Sequence, residues 1–265
     1  MPVRTQGAFF REDETMPLKA LIWDVDGTMT DNEELHRAAF NAAFATAGLD
    51  WNWSPQEYGQ LLRTTGGKER IAAYVRERHP EYGVNEDLMS MIKALHARKT
   101  VFYTQYLAER KAVLRPGVRR LINEAKSRGM ALAIATTTSR VNVLTLLERC
   151  FPDLVGCWSV LICGEDVRRK KPDPEVYLLA LDRLGLAPDS CLALEDSENG
   201  VRAAVAAGIP TLAVPSSYTL RETFDGAIGV VDHLGEEDMP CTRIQGLEGI
   251  GELVTMDHLE HLIPQ

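Results

Sequence analysis

The residues most able to do chemistry stand at the ends of apolar runs. Asp24 and Asp26 close the run from Leu18 to Trp23, which has only Lys19 inside it, and Gly27-Thr28 follow at once. Carboxylates are costly to desolvate unless something pairs with them, so two at the end of a buried strand serve stability poorly. Three later runs end the same way. Thr136-Thr137-Thr138-Ser139 follow Ala131–Ala135, Lys170-Lys171-Pro172 lie past Trp158–Ile162, and Glu195-Asp196-Ser197 follow Cys191–Leu194. The set holds carboxylates, hydroxyls and lysine, with no histidine or cysteine. Hard oxygens suit Mg²⁺, while hydroxyls, backbone N–H groups and an ammonium suit a phosphate. A carboxylate attacking a phosphate dianion meets about 4 kcal/mol of repulsion at ~4 Å and an effective dielectric of ~20, worth roughly three decades of rate. A divalent cation and one lysine remove that penalty. Each cluster alone also has a plain reading: a chance Asp-x-Asp loop, helix caps, or solvated charges before a proline.

These residues meet only if the runs are neighbouring strands. The runs Leu18–Trp23, Ala131–Ala135, Trp158–Ile162, Cys191–Leu194 and Pro210–Val214 are strand-like, with helical patterns at Val118–Arg128, Val141–Cys150, Glu175–Leu184 and Gly200–Ala207 between them. Alternation of this kind predicts an α/β fold, a doubly wound, Rossmann-like parallel sheet whose carboxyl ends converge on one rim. Ala227–Val231 reads as an edge strand. Between the first strand and the Arg115-Pro116-Gly117 turn the patterns are wholly helical. One helix is capped by Asp31 or Asn32 and ends near Gly48, one starts at Ser54-Pro55, one follows Gly66-Gly67, and a long one runs from about Asn85 to Arg110. The expected division is an N-terminal extension over 1–16, a core of 17–30 and 112–265, and an inserted all-helical cap over 31–111.

Composition narrows the class. The 265 residues are 45% hydrophobic and 25% charged, so a packed core is expected. A net charge of -9 argues against nucleic-acid or anionic-membrane partners, which need a basic face. The five cysteines show no CxxC spacing, so buried free thiols in a reducing compartment fit better than zinc or disulfides. Met1 to Thr15 has no apolar h-region, and no apolar run approaches 18 residues. The expectation is a cytoplasmic, monomeric enzyme. Gly66-Gly67-Lys68 lacks P-loop spacing.

Taken in order, Asp24-Val25-Asp26-Gly27-Thr28, Thr136, Lys171-Pro172 and Glu195-Asp196 resemble the four motifs of the haloacid dehalogenase-like phosphohydrolases, and the likeness runs from Leu18 to about Tyr218. The helical insert resembles the cap of the branch that holds β-phosphoglucomutase and phosphoglycolate phosphatase. Glu33-Glu34-Leu35-His36, Thr65 to Ile71, Ala135 to Ser139 and Glu195 to Gly200 look like the CbbY-type phosphatases of Calvin-cycle bacteria, which act on xylulose 1,5-bisphosphate. The resemblance implies a Mg²⁺-dependent phosphatase that repairs a metabolite inhibitory to carbon fixation. It implies Asp24 as nucleophile and metal ligand, and Asp26 as general acid/base with its backbone carbonyl on the metal. Thr136 and the Thr137 N–H would hold the phosphoryl group, and Lys171 would clamp its charge. Asp196 would be a second metal carboxylate, with Glu195 in or beside that shell. Lys68 and Arg70, with Arg63, would hold a far phosphate, and Glu34 and His36 near the entrance would touch sugar hydroxyls. A β-phosphoglucomutase-type mutase and a non-catalytic sugar-phosphate-binding protein are the alternatives.

Overall fold

A computed structural model describes residues 18–109, 112–246 and 251–262. The expected extension over 1–16 and the far end of the expected cap at 111 lie outside the described residues. Seven strands form one sheet in the order β3-β2-β1-β4-β5-β6-β7. They are β1 (Ala20–Trp23), β2 (Ala131–Ala135), β3 (Val160–Ile162), β4 (Cys191–Glu195), β5 (Thr211–Ala213), β6 (Gly229–Val231) and β7 (Arg243–Gly246). All pairings are parallel except β6 with β7. The strand order reverses at β1, between β2 and β4, which is where an open α/β sheet leaves a crevice at its carboxyl edge. Register does the rest. Trp23 lies abreast of Ile134 on one side and Leu194 on the other. The chain therefore leaves all three strands at one level, with Asp24 beside Glu195.

The strands bury both faces, but unequally. Leu21, Trp23, Leu132, Ile134, Leu192 and Leu194 face a large cluster that includes α5 (Val118–Ser127), α6 (Arg140–Cys150) and α9 (Met256–Leu262). Ala20, Ile22, Ala133, Ala135 and Ala193 face α7 (Glu175–Leu184) and α8 (Glu198–Ala206). Small side chains on that face let the two helices ride close to the strands, while the bulky face carries most of the buried apolar area.

A third cluster contains no strand residue. It joins α1 (Glu33–Thr46), α2 (Pro55–Leu61), α3 (Gly67–Arg78) and α4 (Glu86–Glu109) around Phe40, Phe44, Trp51, Trp53, Tyr58 and Tyr74. Phe40 and Phe44 each lie 4.8 Å, centroid to centroid, from Trp53; such pairs add about 0.5–1.5 kcal/mol beyond burial. Helix α4 belongs to two clusters. Leu88, Ile92 and Leu95 sit in the aromatic one, whereas Tyr103 and Leu107 sit against the sheet. No described helix is long and apolar enough to cross a membrane.

Two expectations need correction. Gly229–Val231 is not the edge, because β7 pairs beyond it; the short, fully exposed Arg243–Gly246 carries no apolar alternation to announce a strand. Asn32 stands at the N-cap of α1 but makes no side-chain capping bond, since its amide is drawn to Asp26 and Tyr103. On α4 the inward stripe passes through Lys99 and Tyr103, and Val101 is 63% exposed.

The rim of the sheet is tied by one cation. Arg115 donates to the carbonyls of Gly27 (2.6 Å), Val214 (2.5 Å), Pro215 (2.7 Å) and Asp232 (2.6 Å). It thereby fastens the turns after β1, β5 and β6 to one another. Arg115→Met should lower the unfolding free energy by about 3 kcal/mol, as four carbonyls lose a charged donor. Arg115→Lys should recover only part of that, because an ammonium cannot span the four acceptors. Urea denaturation of the three proteins is the measurement, and equal midpoints would remove Arg115 from this role.

Candidate active site

At the carboxyl edge, Asp24, Glu195 and Asp196 are 6%, 0% and 5% exposed, and one oxygen from each lies within 4.8 Å of the others. The turn that allows this rests on Gly27. Its φ of +92° favours glycine, and a Cβ there would stand 2.1 Å from Asp196 Oδ2. Lys171, itself 5% exposed, donates to Asp24 Oδ1 (2.7 Å), Glu195 Oε1 (2.6 Å) and the Ala135 carbonyl (2.9 Å). Tyr177 OH also donates to Glu195 Oε1. Burial alone would weaken the lysine as a base, but Asp24 and Glu195 hold its pKa above the ordinary value. Thr136, 2% exposed, lies beside them at the end of β2.

Three buried carboxylates against one ammonium leave the cluster short of positive charge. Burial pushes the Asp24 carboxyl up to about 7; Lys171 opposes this and Glu195 adds to it. Burial, followed by Asp24 and Glu195, holds Asp196 well above the carboxylate range. Glu195 Oε2 is buried with no hydrogen-bond partner. Three converging hard oxygens and a deficit of positive charge fit a divalent cation of the Mg²⁺ type.

The Asp26 side chain lies in a different setting. Its Oδ1 accepts from Asn32 Nδ2 at 2.8 Å and lies 3.1 Å from His36 Nε2. Behind the imidazole, Lys99 Nζ stands 2.5 Å from His36 Nδ1. Tyr103 stacks on His36 at 4.0 Å and lies under Lys99. Burial would raise the Asp26 pKa, yet His36, Asn32 and Lys99 together carry it well below the ordinary value. The Lys99 ammonium is pushed down to about 8 by burial, with Asp26 and Glu33 opposing. Because the Asp26 carboxylate lies outside the three-carboxylate group, any hold it has on a cation falls to its backbone.

One cavity joins the two settings, lined from the sheet side by Asp24, Asp26, Thr136, Thr137, Lys171 and Asp196 and from the helical side by Lys68 and Arg70. Arg70 Nη1 donates to Tyr58 OH (3.3 Å) and its Nε to the Leu61 carbonyl (3.2 Å). Two expected substrate contacts fall elsewhere. Glu34 is exposed and engaged by Arg37 and Tyr218; the neighbouring Glu33 lines the cavity instead. Arg63 is exposed and does not line the cavity, and its carbonyl accepts from Asn199 Nδ2 at 3.0 Å. His36, 5% exposed, does line the cavity and also backs Asp26.

Lys99, Asn32, Tyr103, Tyr177 and Asn142 escaped notice in the sequence. Lys99 had a signal: Leu88, Ile92, Leu95, Lys99, Tyr103 and Leu107 form one buried helical stripe, and a lysine in such a register calls for a partner.

A sheet of this order with these carboxylates at its switch point defines a phosphohydrolase. Residues 18–208 match the haloacid dehalogenase-like hydrolase family, and the chain belongs to it as an enzyme, a phosphatase. It is 46% identical over 226 residues to the CbbY protein of Cupriavidus necator, with 84% of this chain and 89% of that one covered. It is 33% identical over 192 residues to a phosphorylated carbohydrates phosphatase of Thermotoga maritima (72% and 82% covered). A crystal structure of a CbbY variant from Rhodobacter sphaeroides with xylulose-(1,5)bisphosphate superposes with a TM-score of 0.76 at 44% identity, covering 82% of this chain and 94% of that one.

The raised carboxyl groups fix a pH dependence for the cation-free protein. An unfolded aspartate titrates near 3.8 and folded Asp24 at about 7. In that window the folded chain binds more protons than the unfolded chain, so stability falls as pH rises. With a chelator present, the urea midpoint should drop between pH 5 and 7. Asp196→Asn should flatten the drop, and a divalent cation should abolish it. A flat profile for chelated wild type would mean that the cluster is already neutralised.

Proposed function

We propose that this protein is a Mg²⁺-dependent phosphatase of small sugar bisphosphates, xylulose 1,5-bisphosphate foremost, acting through an aspartyl phosphate on Asp24 and serving metabolite repair beside carbon fixation. The observation that carries this reading is Asp24 itself: a buried carboxylate at the switch point, ion-paired with Lys171 at 2.7 Å and facing the cavity. In this reading residues 31–111 form a cap over a core of 17–30 and 112–265.

Asp24 attacks phosphorus. Lys171 favours its ionised form against the effect of burial and then faces the charge on the transferring group. Thr136 Oγ1 and the Thr137 N–H hold the phosphoryl oxygens. Asp24, Asp196, Glu195 and the Asp26 carbonyl would hold a Mg²⁺ ion, which would supply Lewis acidity and offset the repulsion between nucleophile and dianion. Asp26 protonates the sugar oxygen as its bond to phosphorus breaks, then takes a proton from the water that hydrolyses the aspartyl phosphate. Its depressed pKa leaves it ionised in the free protein; an incoming phosphate dianion raises its proton affinity and readies it for both roles. His36 and Lys99 set this balance from the helical side. Lys68 and Arg70 receive the second phosphate.

A phosphate-release screen with Mg²⁺ should favour sugar bisphosphates over their monophosphates. Transfer of the phosphoryl group to a second sugar instead of water would identify a mutase. Asp24→Asn should keep the fold and abolish turnover; a tenth of wild-type rate would mean that another group attacks. Asp26→Ala should slow both formation and hydrolysis of the phosphoenzyme in single-turnover experiments, and an unchanged rate in both steps would exclude it.

A further inference from the structure

Two adjacent lysines leave the loop after β3 in different directions. Lys171 turns to Asp24 and Glu195. Lys170 instead feels Glu69, Glu165 and Lys68, the first and last from α3 across the cavity. Its Nζ donates to the Gly164 carbonyl; among the described residues this is its one hydrogen bond, and no carboxylate lies within ion-pair distance of it. An ammonium carries three donors, so this one has spare capacity where it lines the cavity. The backbone is shaped for it: a Cβ on Gly164 would meet Lys170 Nζ at 2.8 Å and the Thr137 carbonyl at 2.4 Å.

The surroundings are those of an anion subsite. His96 of α4 lines the same cavity. Burial first, then the field of Lys99, Lys68, His36 and Lys170, pushes its pKa down to about 3, so it is a neutral imidazole among cations. Lys68 on α3 and Lys170 on the sheet side line the same cavity, with Glu69 and Glu165 beside them, and a phosphate between the two ammonium groups would pair with both. Asn142 of α6 also lines this cavity, and its Nδ2 donates to Thr138 Oγ1 at 3.3 Å.

We infer that Lys170 is a specificity-determining residue that holds the second phosphate of the substrate from the sheet side, opposite Lys68, so that one bound phosphate links α3 to the loop after β3. The inference rests on the bisphosphatase reading above and deepens it.

The test compares kcat/KM for xylulose 1,5-bisphosphate, for the matching monophosphates and for p-nitrophenyl phosphate, in wild type, Lys170→Met and Lys170→Arg. Loss of one charged donor should cut bisphosphate turnover by about 10- to 100-fold. The small ester, which has no second phosphate, should fall by less than about threefold. Lys170→Arg should restore most of the preference, and the Lys170→Met loss should shrink as salt rises. An equal loss on every substrate would show that Lys170 acts through the neighbouring Lys171 and would overturn the proposal. A Lys170→Met enzyme that keeps the bisphosphate preference would overturn it as well, while leaving the bisphosphatase reading intact. A wild type with no such preference would defeat both.

Discussion

Everything near the carboxyl edge of the sheet answers to one cost, that of holding like charges together away from water. Asp24, Glu195 and Asp196 are gathered within 4.8 Å, and a single ammonium, Lys171, lies among them. Such a cluster opposes folding unless it is hydrogen-bonded or neutralised. Several features read as answers to that cost. Gly27 lets the turn close against Asp196 without a side chain in the way. Tyr177 spends its hydroxyl on Glu195. Arg115 fixes the turns around the cluster through four carbonyls, so strain in one loop is shared with the others. A site that is costly when empty is also one that gains most when cation and phosphate arrive together.

The two aspartates of the first motif show how environment divides labour between like groups. They are two residues apart, yet burial lifts Asp24 to about 7, whereas His36, Asn32 and Lys99 overcome burial and carry Asp26 the other way. The parts acting on Asp24 come from the sheet and its loops. Those acting on Asp26 come from α1, α4 and the turn before α1. Titratable groups pushed apart in this manner are the usual mark of separate nucleophilic and acid–base roles. The helical layer is thus an electrostatic part of the site as well as a wall for it.

Much of this was legible in the sequence because the signal was local. Continuous apolar runs ending in polar clusters predicted the strands and the edge on which Asp24, Thr136, Lys171 and Asp196 meet. What escaped depended on tertiary direction. Glu33 and Glu34 are equivalent as text, but helical phase sends only Glu33 to the cavity. Nothing local revealed Lys99, 63 residues away, at the back of His36. Arg63 and Arg70 lie seven residues apart, and tertiary contacts of Arg70 with Tyr58 and the Leu61 carbonyl sort them. Strand β7 has no buried face, so periodicity could not announce it.

Helix α4 bears on how far the helical layer is a transferable module. One end of this single rod packs among the aromatics of the other three helices, and the other end, through Tyr103 and Leu107, fills space against the sheet. The two parts of the molecule therefore share material instead of merely touching. Exchange of the layer between relatives must carry those two side chains along, or leave a void costing about 2–5 kcal/mol for each large residue lost. It must also carry Lys99, or the acid–base carboxylate of the sheet changes character. Diversification of substrate choice is then cheapest at the free faces of α2 and α3, whose side chains can vary without disturbing that joint.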